Sequence, residues 1–238
     1  MCAGVSGVWR GLSVRIYPYG QYAPLFVSMN HGRCRVLEEE EESMLLSDEA
    51  AGILLLAACD PQLGCRWLKK HAVSGSMVMV LDERCWRYLA QLPEFEMMSE
   101  PCMQAVWAGA APEGSQLVLE EAGLSDVQYL KEHYSLADEM GLLTAVRDRR
   151  LYAGVVQGRC VGYCGLHPEM GMGMLHVVPG LRLQGYGKAL ELALIAKTME
   201  KGIVPYAQVF ASNRASIALQ ESLGMAFCPE KICWMRRV

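Results

Sequence analysis

The alternation of hydrophobic and polar residues is most regular in the second half of the chain, where it predicts both strands and helices. Strands are expected at residues 117–121, 151–157, 160–166, 174–178 and 204–210 and around 232–235. Helices are expected at residues 125–134, 188–201 and 213–223, and the second of these repeats apolar residues every three or four positions. Gly202 and Gly224 follow the last two helices, where glycine commonly ends a helix. The pattern predicts an α/β fold with a mixed sheet.

The first half of the chain is less regular. It suggests strands at residues 14–17, 25–29 and 77–81 and a helix at residues 82–92. The acidic run at residues 38–42 is predicted to begin a solvated helix that continues through Met44 and Leu45, because acidic side chains favour a helix N-terminus. An acidic binding patch is the alternative interpretation. No residue in this half indicates a particular chemistry.

A boundary between two domains is predicted at residues 108–115 (AGAAPEGS), which are small, include proline and glycine, and lack periodicity. A chain of 238 residues is long enough to form two cores. We therefore predict an N-terminal α/β domain over residues 1–110 and a second domain over residues 115–238.

Composition narrows the function classes. With 52% hydrophobic residues, 20% charged residues and a net charge of −4, the chain is globular and has no basic block to attract nucleic acid or an anionic membrane. The ten cysteines form no CxxC pair, which favours reduced thiols and no metal centre. The N-terminus lacks the pattern of a signal peptide, and the longest apolar run, residues 50–59, is too short to cross a bilayer. We expect a cytoplasmic location.

The segment PGLRLQGYGK (residues 179–188) separates a predicted strand from a predicted helix. Glycines at such a junction let backbone N–H groups approach an anion, and the helix adds the positive end of its dipole. The segment does not match two familiar phosphate-binding motifs. A P-loop needs lysine directly after Gly185, and a dinucleotide fingerprint needs glycine in place of Leu190. Arg182 and Lys188 add positive charge.

The same segment resembles the central signature of the GNAT (general control-related N-acetyltransferase) superfamily, V-x-P-x-x-R-x-x-G-x-G-x-A-L, which begins here at Val177. A second element of that family, N-x-x-[SA]-x-x-L-Y-x-x-x-G-F, is matched by Asn213, Ser216, Leu219 and Gly224, with Met225 in place of phenylalanine. The resemblance covers roughly residues 115–238, and the last third also resembles the glycine N-acyltransferase-like branch. The N-terminal half is then a candidate for a degenerate copy of the same fold, although it lacks a second R-x-x-G-x-G.

The resemblance implies an acetyl-CoA-dependent N-acetyltransferase in which a substrate amine attacks the thioester directly. Backbone groups near the end of the predicted strand would bind the pantetheine arm and direct an N–H at the thioester carbonyl, and the glycine loop would bind the pyrophosphate. The cofactor-binding residues expected on this basis are Val177, Val178, Arg182, Leu183, Gln184, Gly185, Tyr186, Gly187, Lys188 and Asn213. An N-cap role alone is the alternative for Asn213.

The catalytic groups are less well defined. Gln220 occupies the family's tyrosine position, so the acid that protonates the leaving thiolate would have to be water or Tyr163. His176 is the candidate base, with Glu169 and His167 as second candidates, because histidine titrates in the appropriate range. A half-buried strand histidine is the alternative for His176. The leading function is an acetyltransferase acting on a small amine or amino acid, and the alternative is a non-catalytic acyl-CoA-binding or interaction module. Protein acetylation is a third possibility; it would be expected to need a broad acidic cleft, and the sequence shows only the acidic run at residues 38–42.

Overall fold

The structure is a computed structural model that describes residues 20–113, 116–134 and 137–238. The predicted strand at residues 14–17 lies outside these ranges. Contacts divide the described chain into two units. The first unit contains residues through Ala108 together with Gln208–Ile217 and Ala226–Val238, and the second contains Gly109–Ala207 and Ala218–Met225. Two short segments from the C-terminal half of the sequence thus group with the N-terminal half.

Seven helices and twelve strands are formed by the described residues. The helices are α1 (Ala23–Asn30), α2 (Pro61–His71), α3 (Glu83–Leu89), α4 (Leu124–His133), α5 (Glu139–Arg147), α6 (Tyr186–Glu200) and α7 (Arg214–Leu223). The strands are β1 (Cys34–Glu40), β2 (Ser43–Asp48), β3 (Ile53–Ala57), β4 (Met77–Val80), β5 (Phe95–Met97), β6 (Cys102–Val106), β7 (Val118–Glu121), β8 (Leu151–Val156), β9 (Arg159–Leu166), β10 (Met172–Val177), β11 (Tyr206–Phe210) and β12 (Ala226–Arg237).

The first unit is built on a mixed sheet in the order β1-β2-β3-β4-β12-β6, with β5 also paired to β12. β3 and β4 run parallel, and α2 connects them. The long strand β12 pairs antiparallel with β4, β5 and β6, which explains why the end of the chain belongs to this unit. Apolar side chains fill both faces of β3, all five residues of which are buried.

Two predictions for the first half are wrong. The acidic run at residues 38–42 does not begin a helix. It forms the end of β1 and a turn in which Glu41 adopts a φ of 49°, before β2 buries Met44, Leu45 and Leu46. Burial of these three residues against β3 outweighs the preference of acidic residues for a helix N-terminus. Residues 25–29 form helix α1 and not a strand, with Pro24 near its first turn.

The second unit is built on antiparallel strands in the order β7-β8-β9-β10, and β10 then pairs in parallel with the start of β11. The predicted hairpin around Gly158 is confirmed as β8 and β9. Helix α6 connects β10 to β11, as the periodicity indicated, and buries Leu190, Leu194 and Ile195. Helix α5 was not predicted. Together with the parallel pair of the first unit, this arrangement confirms an α/β fold with mixed sheets.

Candidate functional site

The junction between β10 and α6 is an exposed strand-to-helix connection of the second unit. The Val178 N–H donates to the Val161 carbonyl at 3.1 Å, after which residues 179–181 make one short 3-10 turn. Leu183 and Gly185 adopt left-handed backbone conformations, with φ of 61° and 86°, and α6 begins immediately after them. Residues 182–185 are exposed. The predicted glycine loop therefore forms an exposed rim around the N-terminus of a 15-residue helix.

This helix N-terminus has no side-chain cap. Gly185 occupies the N-cap position and offers no side chain, so no side-chain hydrogen bond closes the first turn of α6. Helix geometry leaves the first amides of α6 without intrahelical acceptors, and the helix dipole adds partial positive charge. Lys188 lies on that turn and donates to the Ser222 carbonyl at 2.7 Å. Unbonded backbone donors thus lie at an exposed helix N-terminus, which is the kind of position that binds an anion.

The strand leading to this junction has one open edge. β10 pairs with β11 at one position of the described chain, Met172 opposite Ala207. On its other side β10 continues along β9 as far as Val177 opposite Gly162, with a bulge between Gly173 and His176. Alternation along an antiparallel pair turns the Val177 N–H and carbonyl away from β9. An extended ligand could therefore pair with the end of β10.

Arg182 supports this orientation of Val177, because its Nε donates to the Val177 carbonyl at 3.4 Å from the loop side. Val178 is oriented the opposite way, since its N–H is already bonded to Val161. The geometry therefore favours Val177, and not Val178, as the residue whose N–H would face a thioester carbonyl.

His176 lies on the opposite face of β10 from solvent, with 5% of its surface exposed. Its Nε2 is 3.3 Å from the hydroxyl oxygen of Tyr129 on α4, and its ring makes an edge contact with the Tyr129 ring. Burial lowers the pKa of His176, and the positive charges of Arg182 and His133 lower it further. The imidazole is therefore held neutral, in the form that can accept a proton.

A group of polar and aromatic side chains from α4 and β9 surrounds this histidine. Tyr163, opposite His176 on β9, donates its hydroxyl to Asp126 Oδ1 at 2.9 Å, and burial raises its pKa. The His133 ring stacks on Tyr129 at 4.2 Å between centroids. Asp126, Tyr129 and His133 were not predicted as site residues, although their spacing on the predicted helix at residues 125–134 places them near one face.

Glu169 and His167 lie in the turn between β9 and β10. Glu169 is buried, and its carbonyl accepts a hydrogen bond from the Tyr206 hydroxyl at 2.6 Å. This turn precedes Met172, whereas His176 is near the other end of β10. The structure brings His176 together with the α4 residues and does not bring Glu169 into that group. A catalytic role for Glu169 stays a prediction.

Gln220, at the position of the expected tyrosine, is buried and donates to Glu191 Oε1 on α6 at 3.3 Å. Burial raises the pKa of Glu191 to about 7. Among the described residues, Gln220 Oε1 and Glu191 Oε2 have no hydrogen-bond partner. The Gln220 side chain is thus bound to a neighbouring helix inside the second unit.

Asn213 lies in the first unit and acts as a helix cap, because its side-chain oxygen accepts a hydrogen bond from the Ser216 N–H at 3.1 Å at the start of α7. Its predicted contact with CoA stays a prediction. In the residues that the structure describes, no group of three or more histidine, cysteine or acidic side chains is arranged to hold a metal ion. None of the described helices is long and apolar enough to cross a membrane.

Comparison with known proteins agrees with this geometry. The family model for the acetyltransferase (GNAT) family matches residues 116–225. A Drosophila protein structure aligns with 98% of this chain and 97% of its own at 14% identity and a TM-score of 0.60. A GCN5-related N-acetyltransferase from Kribbella flavida aligns with 92% of this chain and 94% of its own at 12% identity and a TM-score of 0.56.

A third structure, a GNAT-family protein of Novosphingobium aromaticivorans, aligns with 91% of this chain and 97% of its own at 18% identity and a TM-score of 0.51. At these identities the likeness to solved structures shows the fold. No curated protein gives a significant match. Together with this fold, the family match supports acyl transfer as the class of reaction. The family match makes this specific for one part of the chain, because residues 116–225 match the model of the acetyltransferase (GNAT) family.

Proposed function

We propose that this protein transfers an acetyl group from acetyl-CoA to an amine of a small molecule or amino acid, in the cytoplasm and without a metal ion. The observation that carries the proposal is the course of β10, which leaves β11 after one residue pair and leads into the uncapped N-terminus of α6. The open strand edge suits the pantetheine arm, and the glycine loop suits the pyrophosphate.

Direct attack needs two contributions from the chain. The Val177 N–H would stabilise the oxyanion that forms as the amine adds to the thioester carbonyl. His176, held neutral by burial, would receive the proton that the amine loses. The CoA sulfur then leaves as a thiolate, which is tolerable near neutral pH because an alkyl thiol has a pKa of about 8.5. A dedicated acid at Gln220 is therefore not required.

Thermal unfolding in the presence of ligands tests the binding step. Acetyl-CoA at 100 times its Kd should add about 2.7 kcal/mol to the free energy of unfolding. The acetyl thioester of N-acetylcysteamine carries the same reactive group without the nucleotide, so at equal concentration it should give no measurable shift. Absence of a shift at millimolar acetyl-CoA would contradict the proposal. Equal shifts with both thioesters would show that the glycine loop does not contribute to binding through the pyrophosphate.

A non-catalytic acyl-CoA-binding module is the second candidate, and the buried pairing of Gln220 with Glu191 is the observation that favours it. Release of free thiol from acetyl-CoA separates the two candidates. We expect release with at least one of glycine, β-alanine, phenylethylamine and putrescine at pH 8. Firm acetyl-CoA binding without release for any of these amines or a wider panel would favour the binding module.

A further inference from the structure

His176 is poorly placed to meet an acceptor amine by itself. Its exposed fraction is 5%, and its Nε2 lies 3.3 Å from the hydroxyl oxygen of Tyr129. A base that touched the amine directly would need that nitrogen free and accessible. The hydroxyl that the imidazole contacts belongs to Tyr129, a residue of α4 that is only half-buried.

Tyr129 is held in position by its own helix. The His133 ring stacks on it at an interplanar angle of 11°, and His133 Nδ1 lies 2.8 Å from the Tyr129 carbonyl. The neighbouring Tyr163 is differently engaged, because its hydroxyl donates to Asp126 and its side chain is buried. Of the two tyrosines whose rings lie beside His176, Tyr129 alone therefore has a hydroxyl within hydrogen-bond distance of the imidazole.

We propose that Tyr129 is a catalytic residue that relays the acceptor's proton to His176, an inference that rests on the proposed acetyltransferase function. The amine N–H proton passes to the Tyr129 oxygen while the Tyr129 proton passes to His176 Nε2. The nitrogen lone pair forms the new bond to the acetyl carbon, and the carbon–sulfur bond breaks to release CoA thiolate. His176 then returns its proton through Tyr129 to solvent.

The relay requires His176 to be neutral with its proton on Nδ1, so that Nε2 accepts from the tyrosine. The groups that face the imidazole are Tyr129 and His133 from α4, Tyr163 from β9 and Arg182 from the loop. The charges of Arg182 and His133 both oppose a second proton on the ring. Nitrogen NMR of the histidine-labelled wild-type protein should show the Nδ1–H form, and a proton resident on Nε2 would overturn the relay.

The direct test is Tyr129→Phe, with Tyr134→Phe, at the C-cap of the same helix, as the matched control. Tyr134 is a partly buried tyrosine that packs against the core of the second unit. For an amine that the wild-type protein acetylates, Tyr129→Phe should lower kcat about a hundredfold. Both variants should keep the stabilisation by acetyl-CoA, which shows that they fold, and Tyr134→Phe should keep kcat.

Rates in mixtures of H₂O and D₂O give a readout that a packing role would not change. Simultaneous transfer of two protons predicts a curved dependence on deuterium content in the wild-type protein and a straight one in Tyr129→Phe. If the wild-type protein is active and Tyr129→Phe has the same kcat, the relay is overturned and the proposed acetyltransferase function is not. A wild-type protein that releases no thiol with any amine would overturn the proposed function and the relay with it.

Discussion

Two strand-to-helix junctions of this chain have the same order of elements, but the helix N-terminus is capped by a side chain in one and uncapped in the other. In the first unit β3 leads into α2 and pairs in parallel with β4, and in the second unit β10 leads into α6 and pairs in parallel with β11. In each unit the parallel pair follows antiparallel strands. This common order supports the hypothesis that the N-terminal half is a degenerate copy of the same fold.

The junction of the first unit is closed by the chain's own carboxylates. The Asp60 side chain accepts from the N–H groups of Gln62 and Leu63 at 2.9 and 3.3 Å, which caps α2. Asp82 accepts from the Ala58 N–H at 2.7 Å near the end of β3. In the second unit the corresponding N-cap is Gly185, without a side chain. The N-terminus of α2 is therefore capped by a carboxylate of the chain, whereas the N-terminus of α6 can accept an external anion.

The strands before the two junctions, β3 and β10, also differ in how far they are paired. β3 stays paired with β4 along its length, and the Leu81 N–H extends the ladder to the Leu56 carbonyl at 2.9 Å. β10 and β11 separate after Met172 opposite Ala207. Without an open strand edge the first junction offers no place for a pantetheine arm. We therefore expect one acyl-CoA site per chain, in the second unit.

The largest effect should come from giving the second junction the cap of the first. Gly185→Asp places a carboxylate at the N-terminus of α6, where it would compete with the pyrophosphate and repel it. We expect the Kd for acetyl-CoA, measured by calorimetry, to rise at least about a hundredfold, which corresponds to about 2.7 kcal/mol.

Two controls separate this effect from damage to the fold. Gly202 follows the other end of α6 with a φ of 71°, and an added Cβ would meet no atom there or at Gly185. Gly185→Asp and Gly202→Asp should therefore carry a similar backbone cost of about 1 kcal/mol. Asp60→Ala should lower stability by about 1 kcal/mol through the lost cap and leave the Kd unchanged. Equal loss of affinity for acetyl-CoA in Gly185→Asp and Gly202→Asp would contradict binding of the pyrophosphate at the N-terminus of α6.

The next effect concerns the buried sides of the two helices. Buried positions of α2 carry no ionisable carboxyl, whereas α6 buries Glu191, whose pKa burial raises from 4.5 to about 7. The folded state therefore holds a proton that the unfolded state loses above pH 4.5, so stability is full at low pH and declines as pH rises towards and through 7. Between pH 5 and pH 7 this group should account for a loss of about 2 kcal/mol.

Glu191→Gln should flatten that part of the pH dependence, because an amide cannot ionise and can bond to both polar atoms of Gln220. Urea unfolding at pH 5, 6 and 7 measures the slope, and Glu200→Gln, at an exposed position on the same helix, serves as the control with the slope retained. A slope that is the same in Glu191→Gln and in the wild-type protein would show that Glu191 ionises freely.

Much of the second unit could be predicted from the sequence, because its helices and strands carry their own signals. The period of α6, the stop at Gly202 and the hairpin at Gly158 are local features. The first unit was harder because tertiary contacts decide it. Residues 38–42 become strand and turn since β2 and β3 bury their neighbours, and β12 is placed by partners about 150 residues away in the chain.

The site divides in the same way. The glycine loop and its position before α6 were predictable, since backbone conformation and helix polarity follow from a short motif. The surroundings of His176 were not, because Tyr129 and His133 approach it from α4, more than 40 residues earlier in the sequence. The pairing of Gln220 with Glu191 likewise joins two helices. Contacts between distant residues of this kind need the fold before they can be recognised.

The last comparison concerns the space beside one glycine on each of the two helices. On α2 an added Cβ at Gly64 would lie 3.0 Å from Cys85 Sγ and 3.1 Å from Ala58, so the chain itself occupies the space. On α6 an added Cβ at Gly187 would meet Val177 at an ordinary 3.7 Å. Gly64→Ala should therefore destabilise the protein by about 1–3 kcal/mol through overpacking.

Gly187→Ala should instead stabilise the ligand-free protein by about 0.5–1 kcal/mol, because alanine favours the helix. If the pyrophosphate binds the backbone amides of the first turn of α6, a methyl group on that turn should also raise the Kd for acetyl-CoA about tenfold by crowding it. Urea unfolding without ligand and calorimetry with acetyl-CoA measure the two terms separately. If Gly187→Ala gains stability and keeps the same Kd, the glycine is needed neither for the fold nor for ligand binding. That result would contradict pyrophosphate binding at the junction between β10 and α6.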